Sequence, residues 1–473
     1  MSRKSFVGAA IALSVCCTST AMATNGMNLE GYGAKSHAMG GAGMAYDTGN
    51  SAVMNNPATL GYMKEGTEEI GIGIRGLHPS VELSYGGAND KSEATAFYMP
   101  SLSYMRKDGR ITWGAAVLSQ GGMGTDYGND SPLFAYGFSM DGSTVPLSGG
   151  TIRSEVGVGR VMFPFAYELS KETTVGVTAD FVWASMDLQM DLDGSHFANM
   201  MNNVGGSVGG SMAATLQSMM ASSQITDINY ARFDFSNGSP FMGKAIGYGT
   251  GFKLGLTQKL SDGITFGASY HTKTSLSDLE SSSAKIAFAG TMGTTPSAFA
   301  QELTGTIKVH DFEWPATAAA GLAVKASPKL MFVGDVKFID WSDVMDKFSM
   351  SFTADNTTAN SVYAGKTMDV TMTQNWDDQF VYSLGMQYMA TDRLALRGGA
   401  SFSTNPVPDQ YLNPLFPAIV KNHYSCGFGY KVNDDTKVGA AFSWAPEVIT
   451  SNADTMVISH GQTNWSLNFV HNI

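Results

Sequence analysis

From residue 67 onward, apolar and polar positions alternate along the chain with a period of two. In TVGVTADFVW, Val175, Val177, Ala179, Phe181 and Trp183 fall on one face and Thr174, Gly176, Thr178 and Asp180 on the other. LALRGGASF sets Leu394, Leu396, Ala400 and Phe402 against Arg397, Gly399 and Ser401. HYSCGFGYK sets Tyr424, Cys426, Phe428 and Tyr430 against His423, Ser425, Gly427, Gly429 and Lys431. KVGAAFSW sets Val438, Ala440, Phe442 and Trp444 against Lys437, Gly439, Ala441 and Ser443. Alternation of this kind predicts strands. A greasy, aromatic face opposed to a small, polar one fits a strand with lipid outside and a lumen inside. A soluble sandwich would carry Lys, Glu and Thr on its outer faces. A propeller would show a repeat of roughly 40 to 50 residues, and none is visible.

The connections sharpen this picture. Tight turns are predicted at 106–110, 169–173, 260–264, 325–329, 389–393 and 432–436, where Asp, Gly, Ser, Asn and Pro supply the backbone angles. Longer stretches at about 84–93, 120–150, 190–245, 276–303, 342–378, 404–420 and 446–461 alternate with them. Short periplasmic turns and long external loops are the habit of an up-and-down outer-membrane barrel. The expected fold class is therefore all-β, a 14-stranded antiparallel transmembrane β-barrel over residues 67–473, with 304–325 read as one strand. The closing NWSLNFVHNI alternates Trp465, Leu467, Phe469, His471 and Ile473, a C-terminal strand suited to the barrel-assembly machinery.

Composition agrees. Charged residues are 15% of the 473, against roughly 25% in an ordinary soluble protein, while Gly numbers 54 and aromatics reach 11%. The net charge of -12 argues against nucleic acid, which needs clustered Lys and Arg. Residues 1–23 read as a cleaved signal peptide: Arg3 and Lys4, then the apolar run Phe6 to Val15, then the small-x-small site Ala21 to Ala23. Beyond it no run reaches the ~18 apolar residues of a transmembrane helix. After cleavage Cys426 stands alone, so neither an intramolecular disulfide nor a Cys-based metal site is expected.

Residues 24–66 do not alternate. They are rich in Gly, poor in charge and precede the first strand, which suits a hatch folded into the lumen of a wide barrel. Gly40, Gly41 and Gly43 do not make a dinucleotide fingerprint and follow no strand. They read as backbone thin enough to pack where side chains would clash. In the Asn56-Pro57-Ala58 tract, Pro57 fixes its own backbone angle and restricts Asn56, so the tract can hold a bend.

At this point the chain resembles the FadL/TodX-type outer-membrane transporters of long-chain fatty acids and other hydrophobic compounds. The matching stretches are NLEGYGAKSHAMGGAGMAYDTGNSAVMNNPATLG, FEWPATAAAGLAVK, FVGDVKFIDWSD, NWDDQFVYSLGMQYMATDRLALRGGASFSTNPVPDQ and GFGYKVNDDTKVGAAFSW, in the family's order. The resemblance implies a fourteen-stranded barrel closed by the hatch, capture of a hydrophobic ligand outside, and passage to an internal site. It also implies sideways release through a wall opening made by a kink in the third strand. On this sequence the kink falls near Gly121, Gly122 and Gly124, with Asn56, Pro57 and Ala58 beside it.

Capture outside needs an exposed apolar patch. The loop 190–245 offers Phe197, Met200, Met201, Met212, Leu216, Met219 and Met220, and the loop 276–303 offers Phe288, Met292 and Phe299. Flexible thioethers tolerate ligands of varied shape; the alternative is that these groups pack the loop onto the barrel rim. Inside, Met27, Leu29 and Tyr32 are candidates for lining a pocket. A carboxylate ligand would want a base, and Lys253, Lys273, Lys308, Lys337 and Arg397 fall on faces read as inward, where salt bridges with Asp180 or Asp335 are the competing reading.

No cofactor and no metal is expected. The histidines His271, His310 and His423 lack the serine motif of a phospholipase, so no enzymatic activity is expected either. The expectation is a passive, monomeric outer-membrane transporter of hydrophobic small molecules, long-chain fatty acids first and alkanes or monoaromatic hydrocarbons second, with lipid and lipopolysaccharide around it. The rivals are a general porin, which would lack a plug, and a surface adhesin or phage receptor, which would use the loops alone.

Overall fold

The alternating segments hydrogen-bond to one another in antiparallel ladders that close into a ring. The computed structural model describes residues 25–239 and 242–473; the expected signal peptide lies outside them. From Glu68–Tyr85 the ladders pass through Phe97–Asp108, Ile111–Asp126, Arg153–Glu168, Thr173–Asp193, Ala245–Ser261, Ile264–His271 and Thr317–Ser327. They continue through Leu330–Ile339, Gln379–Met389, Leu394–Ser403, Asn422–Lys431 and Thr436–Ser451 to Val457–Asn472. This last strand pairs back onto the first, from Glu69↔Asn472 to Ser84↔Val457. Closing the sheet on itself removes its two free edge strands, which is what hydrocarbon surroundings demand.

The faces follow the alternation. Phe181, Leu396, Phe402, Tyr424, Phe428, Tyr430, Phe442, Trp444, Leu467 and Phe469 project outward and exposed, whereas Thr178, Asp180, Ser401, His423, Ser443 and Ser466 are buried inside. The six tight turns all lie at one end of the ring.

The strand count is corrected. Among the described residues sixteen strands run for ten residues or more, where fourteen are expected. The segments Ile225–Phe235, Leu279–Met292 and Ser297–His310, read as loops or as part of 304–325, are long strands, while Ile264–His271 is shorter than expected. Residues 304–325 are two strands, separated by the stretch 311–316 that contains Pro315. A proline cannot donate to a ladder, and the break falls there.

These added strands build a cap. Ile225–Phe235 pairs with the upper part of Thr173–Asp193, and the sheet goes on through Leu279–Met292, Ser297–His310, Lys347–Ala354 and Thr367–Thr373 to Gly206–Gly209. The helices Gly194–Met201 and Gly210–Ala221 pack on it.

The segment before the first strand sits inside the ring, nearly all of it buried. It is tied to the wall on several sides. Asn468 Oδ1 accepts from the Ala34 amide (2.6 Å), Ser425 Oγ from Gly40 (2.9 Å) and Asp335 Oδ2 from Gly43 (2.6 Å) and Met44 (3.1 Å). Gly40 (φ +67°) and Gly41 (φ +83°) are left-handed, and a Cβ at Gly40 would strike the Ala400 backbone. The Gly-rich tract is thus needed for close approach, as its sequence suggests.

One buried charge is central to this docking. Glu30 pairs with Arg75 of the first strand and accepts from Ser443 Oγ (2.8 Å) and Asn464 Nδ2 (3.3 Å). Burial alone would push the Glu30 carboxyl up, but the Arg75 guanidinium and the His37 ring hold it well below the ordinary carboxylate range. His37 Nε2 lies 3.2 Å from the same carboxylate, yet burial and Arg75 push the imidazole down. The ion pair is therefore Glu30 with Arg75, and His37 is a neutral hydrogen-bonding partner.

Candidate functional site: a gap in the wall beside an aromatic lumen

The third wall strand leaves its neighbour halfway up. Ile111–Asp126 pairs with Phe97–Asp108 only from Asp108↔Ile111 to Leu102↔Val117. Above that point Phe97–Asp108 keeps its ladder with the first strand, as far as Leu77↔Phe97. Ile111–Asp126 keeps its ladder with Arg153–Glu168, through a register shift between Ser119 and Gly121. One edge of residues 118–126 is therefore without a wall partner, and residues 116–125 are buried on both faces. A bulge bends a strand and ends pairing in this way. Gly121, Gly122 and Gly124 lie just past the shift.

The start of the inner segment takes up part of the free edge. Asn28 forms an antiparallel bridge with Gly121, and the Gly122 amide donates to the Met27 carbonyl (3.0 Å). Tyr32 Oη donates to the Gln120 carbonyl (2.7 Å). A Cβ at Gly121 would run into that Met27 carbonyl and against the Trp314 ring.

Beside the gap lies a cavity of about 940 Å³. Leu29, Tyr32 and Leu60 line it from the inner segment, and Met99, Leu102 and Leu118 from the second and third strands. Two of the three expected inner lining residues are thus on the cavity, while Met27 is buried at the gap itself.

An aromatic chain completes the lumen. Trp314, Trp341 and Trp376 are buried with ring centroids 5.8 and 5.3 Å apart, both contacts edge-on. Trp314 Nε1 donates to Asn28 Oδ1 (2.7 Å), which joins the chain to the segment at the gap. Sequence reasoning missed all three. They stand in connections without periodicity, and only the quoted FEWPA, FIDWSD and NWDDQ stretches carry a trace of them.

The Asn-Pro-Ala tract is not at the gap, which corrects the placement that the resemblance implied. Asn56 Nδ2 donates to the carbonyls of Met44 (2.7 Å) and Leu256 (3.0 Å), and its Oδ1 accepts from the Ala58 amide (3.1 Å). Pro57 and Ala58 pack on Gly176 and Gly255, where a Cβ would collide with them. Gly176 shares a row with Ala166 and Thr112. Thr112 is nine residues below Gly121 on the third strand, or roughly 30 Å at a strand's rise. The tract caps the 3₁₀ turn Pro57–Tyr62 near the turn end of the ring.

The loop candidates pack together. Phe197, Met200, Met212, Leu216 and Phe288 are buried in the cap core, with the Phe197 and Phe288 rings 5.9 Å apart. They do not line an open groove as expected. Met201, Met219, Met220, Met292 and Phe299 remain half-buried. The cap is fastened at its edge by His196, whose Nδ1 lies 2.8 Å from Asp193 and whose Nε2 lies 3.5 Å from Asp454 in the last loop. Hydrogen bonds to Asp193 and Asp454 push this imidazole up to about 10. A raised value means that the stabilisation is fully present below the ordinary His range near 6.5 and is lost as pH rises through about 10. Nitrogen-15 NMR should find His196 still protonated at pH 8, and Asp454→Asn should lower its midpoint. A midpoint near 6.5 in the wild type would show that the clasp does not form.

The basic candidates divide. Lys253 is fully buried and donates to Asp180 (2.6 Å), which also pairs with Arg160 (2.8 Å), so it is committed to a structural cluster. Lys273 pairs with Glu313 and Asp343, and Lys308 with Glu280, all partly exposed. Arg397 lines the large cavity, with its Nε on Gln387 Oε1 (2.8 Å), and Lys337 faces a small recess with Tyr32 and His271. Among the described residues, these two alone of the five have no carboxylate oxygen within 4.0 Å. No group of His, Cys, Asp or Glu that could hold a metal occurs among the described residues.

Known proteins share this architecture. The Pseudomonas putida toluene transporter TodX is 29% identical, with a TM-score of 0.77 over 94% of this chain and 99% of its own. The Ralstonia pickettii toluene transporter TbuX is 26% identical, with a TM-score of 0.74 over 94% and 99%. An uncharacterised protein of Chlorobium limicola, from the 5′ region of a phosphoenolpyruvate carboxykinase gene, is 57% identical over 122 residues; these are 26% of this chain and 59% of that protein's length. Residues 11–466 match the family described as outer membrane protein transport protein (OMPP1/FadL/TodX). The chain belongs to that family of outer-membrane β-barrel channels for hydrophobic compounds.

Proposed function

We propose that this protein carries small apolar molecules, monoaromatic hydrocarbons foremost, across the lipopolysaccharide layer and releases them sideways through the gap above Val117. The route runs from the Met-bearing cap, past the tryptophans, to the cavity at Leu29 and Tyr32, and out beside Gly121. Residues 24–66 act as the hatch and residues 67–473 as the barrel and its loops. The observation that carries this reading is the chain Trp314, Trp341 and Trp376 placed beside the gap. Aromatic rings offer edges and faces to one another at such spacings, and a benzene-sized guest can join them. The likeness to two toluene transporters adds support. Passage is passive, down a gradient.

Long-chain fatty acids are the second reading, favoured by Arg397 on the cavity, where a carboxylate head could pair. A deletion strain complemented with the gene, given labelled toluene or oleate, separates the two. Uptake of toluene several-fold above the deletion strain, with oleate unchanged, is expected. Stimulated oleate uptake with no effect on toluene would replace the aromatic reading with the fatty-acid one. A large steady ion current through the purified protein would favour a general porin.

A further inference from the structure

One residue of the third strand is set apart from its ladder. Ser119 pairs with Gly159 and Gly121 with Val158, so Gln120 is the extra residue of the bulge. Two of its acceptors are held. Its carbonyl accepts from Tyr32 Oη (2.7 Å), and its side-chain Oε1 accepts from Arg160 Nε (2.5 Å) on the fourth strand, Arg153–Glu168. Arg160 Nη1 donates to Asp180 Oδ2 (2.8 Å) on the fifth, Thr173–Asp193. Lys253 Nζ on the sixth, Ala245–Ser261, donates to the same oxygen (2.6 Å). Four successive strands thus give one side chain each to a chain that ends on the bulge. All four residues are at most 3% exposed. Gly251 leaves room for the guanidinium, since a Cβ there would strike Arg160 Nη1.

A strand bent away from its neighbour has a competing arrangement. Continuing the register past Leu102↔Val117 would set Ser101 against Leu118 and Pro100 against Ser119. That zipped wall would pair backbone groups that the gap leaves without a wall partner, and hydrocarbon surroundings favour it. Two features oppose it. Pro100 has no N–H to give to a ladder, and proline in a sheet belongs on free edges. The other is the hold on Gln120, because zipping requires the bulge to leave Arg160 and Tyr32. A hydrogen bond from a charged donor is among the stronger ones. The anchor is also separable from the rest of the barrel: Lys253 keeps Asp180 paired when Arg160 is removed, so no buried carboxylate is orphaned.

We propose that Arg160 is a positioning residue of the lateral gap: through Gln120 it holds the bulge inward and the wall open, with Asp180 and Lys253 fixing Arg160 in turn. The link from this anchor to transport rests on the channel reading above. Disulfide cross-linking across the gap tests it in cells that make the full-length protein. Cys426, the free cysteine among the described residues, is replaced by Ala, and Pro100→Cys and Ser119→Cys are added. These two positions meet in the zipped wall and are unpaired in the open one. Toluene uptake is measured in matching strains without the added cysteines. Arg160→Met and Gln120→Met each remove a hydrogen bond from a charged donor, and are expected to raise the cross-linking rate about tenfold and to lower toluene uptake about twofold. Gln120→Glu keeps an acceptor for Arg160 and should keep both at the wild-type level. Should one Met variant fail to assemble, the other decides. Wild-type cross-linking in an assembled Met variant overturns the proposal, whatever happens to uptake. A rise in Gln120→Glu equal to that in Gln120→Met overturns it too, because the acceptor then plays no part. Raised cross-linking in the Met variants alone, with toluene uptake unchanged, supports the anchor and overturns the exit route of the channel reading instead.

Discussion

Gly121→Leu is expected to cut toluene uptake about tenfold or more, the equivalent of roughly 1.4 kcal/mol on the passage barrier, while the barrel assembles normally. The reason is local. The side chain would have to enter space held by the Met27 carbonyl and the Trp314 ring. The bridge from Asn28 to Gly121 and the bond from the Gly122 amide to Met27 would be lost. Asn28 would move away from Trp314 Nε1, and the leucine would stand in the gap where cargo leaves. The ladder between Ile111–Asp126 and Arg153–Glu168 does not depend on that contact, so the wall survives. Gly398→Ala is the control, because a Cβ there meets only the Ser425 carbonyl at 3.9 Å. Unchanged uptake by an assembled Gly121→Leu protein would mean that cargo leaves elsewhere.

The second large effect concerns the ion pair inside the ring. Arg75→Met leaves Glu30 buried without its cation, and breaking a buried pair costs about 3–5 kcal/mol. Ser443 and Asn464 still donate to the carboxylate, so the lower end of that range applies. The loss falls on docking of the inner segment rather than on the ladders. Planar bilayers should record ion current through the variant that the wild type lacks, while both barrels resist detergent equally. The pH dependence gives a sharper signature. In the wild type, Glu30 is held below its ordinary range. Its stabilisation is therefore present above about 4.3 and is lost only as pH falls through the lower folded value. Without Arg75, burial dominates and raises the carboxyl, so docking improves as Glu30 takes up a proton. The variant's current should thus be smaller at pH 5 than at pH 8, and Glu30→Gln should suppress it in the double mutant. A current independent of both pH and the Glu30 substitution would remove the ion pair from its role as anchor.

The wall was legible because its physics is local. A strand between lipid and lumen must alternate, and the two faces of KVGAAFSW or HYSCGFGYK declare themselves residue by residue. The tight turns are legible for the same reason. The cap strands were not legible, because both their faces are packed. In Leu279–Met292 and Ile225–Phe235, Ile286, Phe288, Phe233 and Phe235 are buried while the positions between them are small, polar or charged and half-covered, a weak contrast. Surrounded by Ser, Thr and Gly, such segments read as loops. At the site, the glycines of the kink were visible, since a glycine run in a strand signals a bulge or a close approach. What fills the close approach was not visible. Met27, Asn28 and Trp314 meet Gly121 only through the three-dimensional ring, and so do Arg160, Asp180 and Lys253, which made a lumenal lysine resemble a ligand contact. The Met-rich helices misled in the other direction: an apolar, flexible composition suits a groove and a core equally well.

The contacts that hold the inner segment carry a consequence for the order of folding. Some of its partners come from the far end of the chain: Asn464, Ser466 and Asn468 bind Glu30, His37 and Ala34, and the first strand is paired by the last. Closing a loop of this length costs roughly 5 kcal/mol in chain entropy before any contact repays it. The inner segment therefore lacks these partners until the final strand arrives. Its full docking is also a sign that the last strand is in place and the ring has closed.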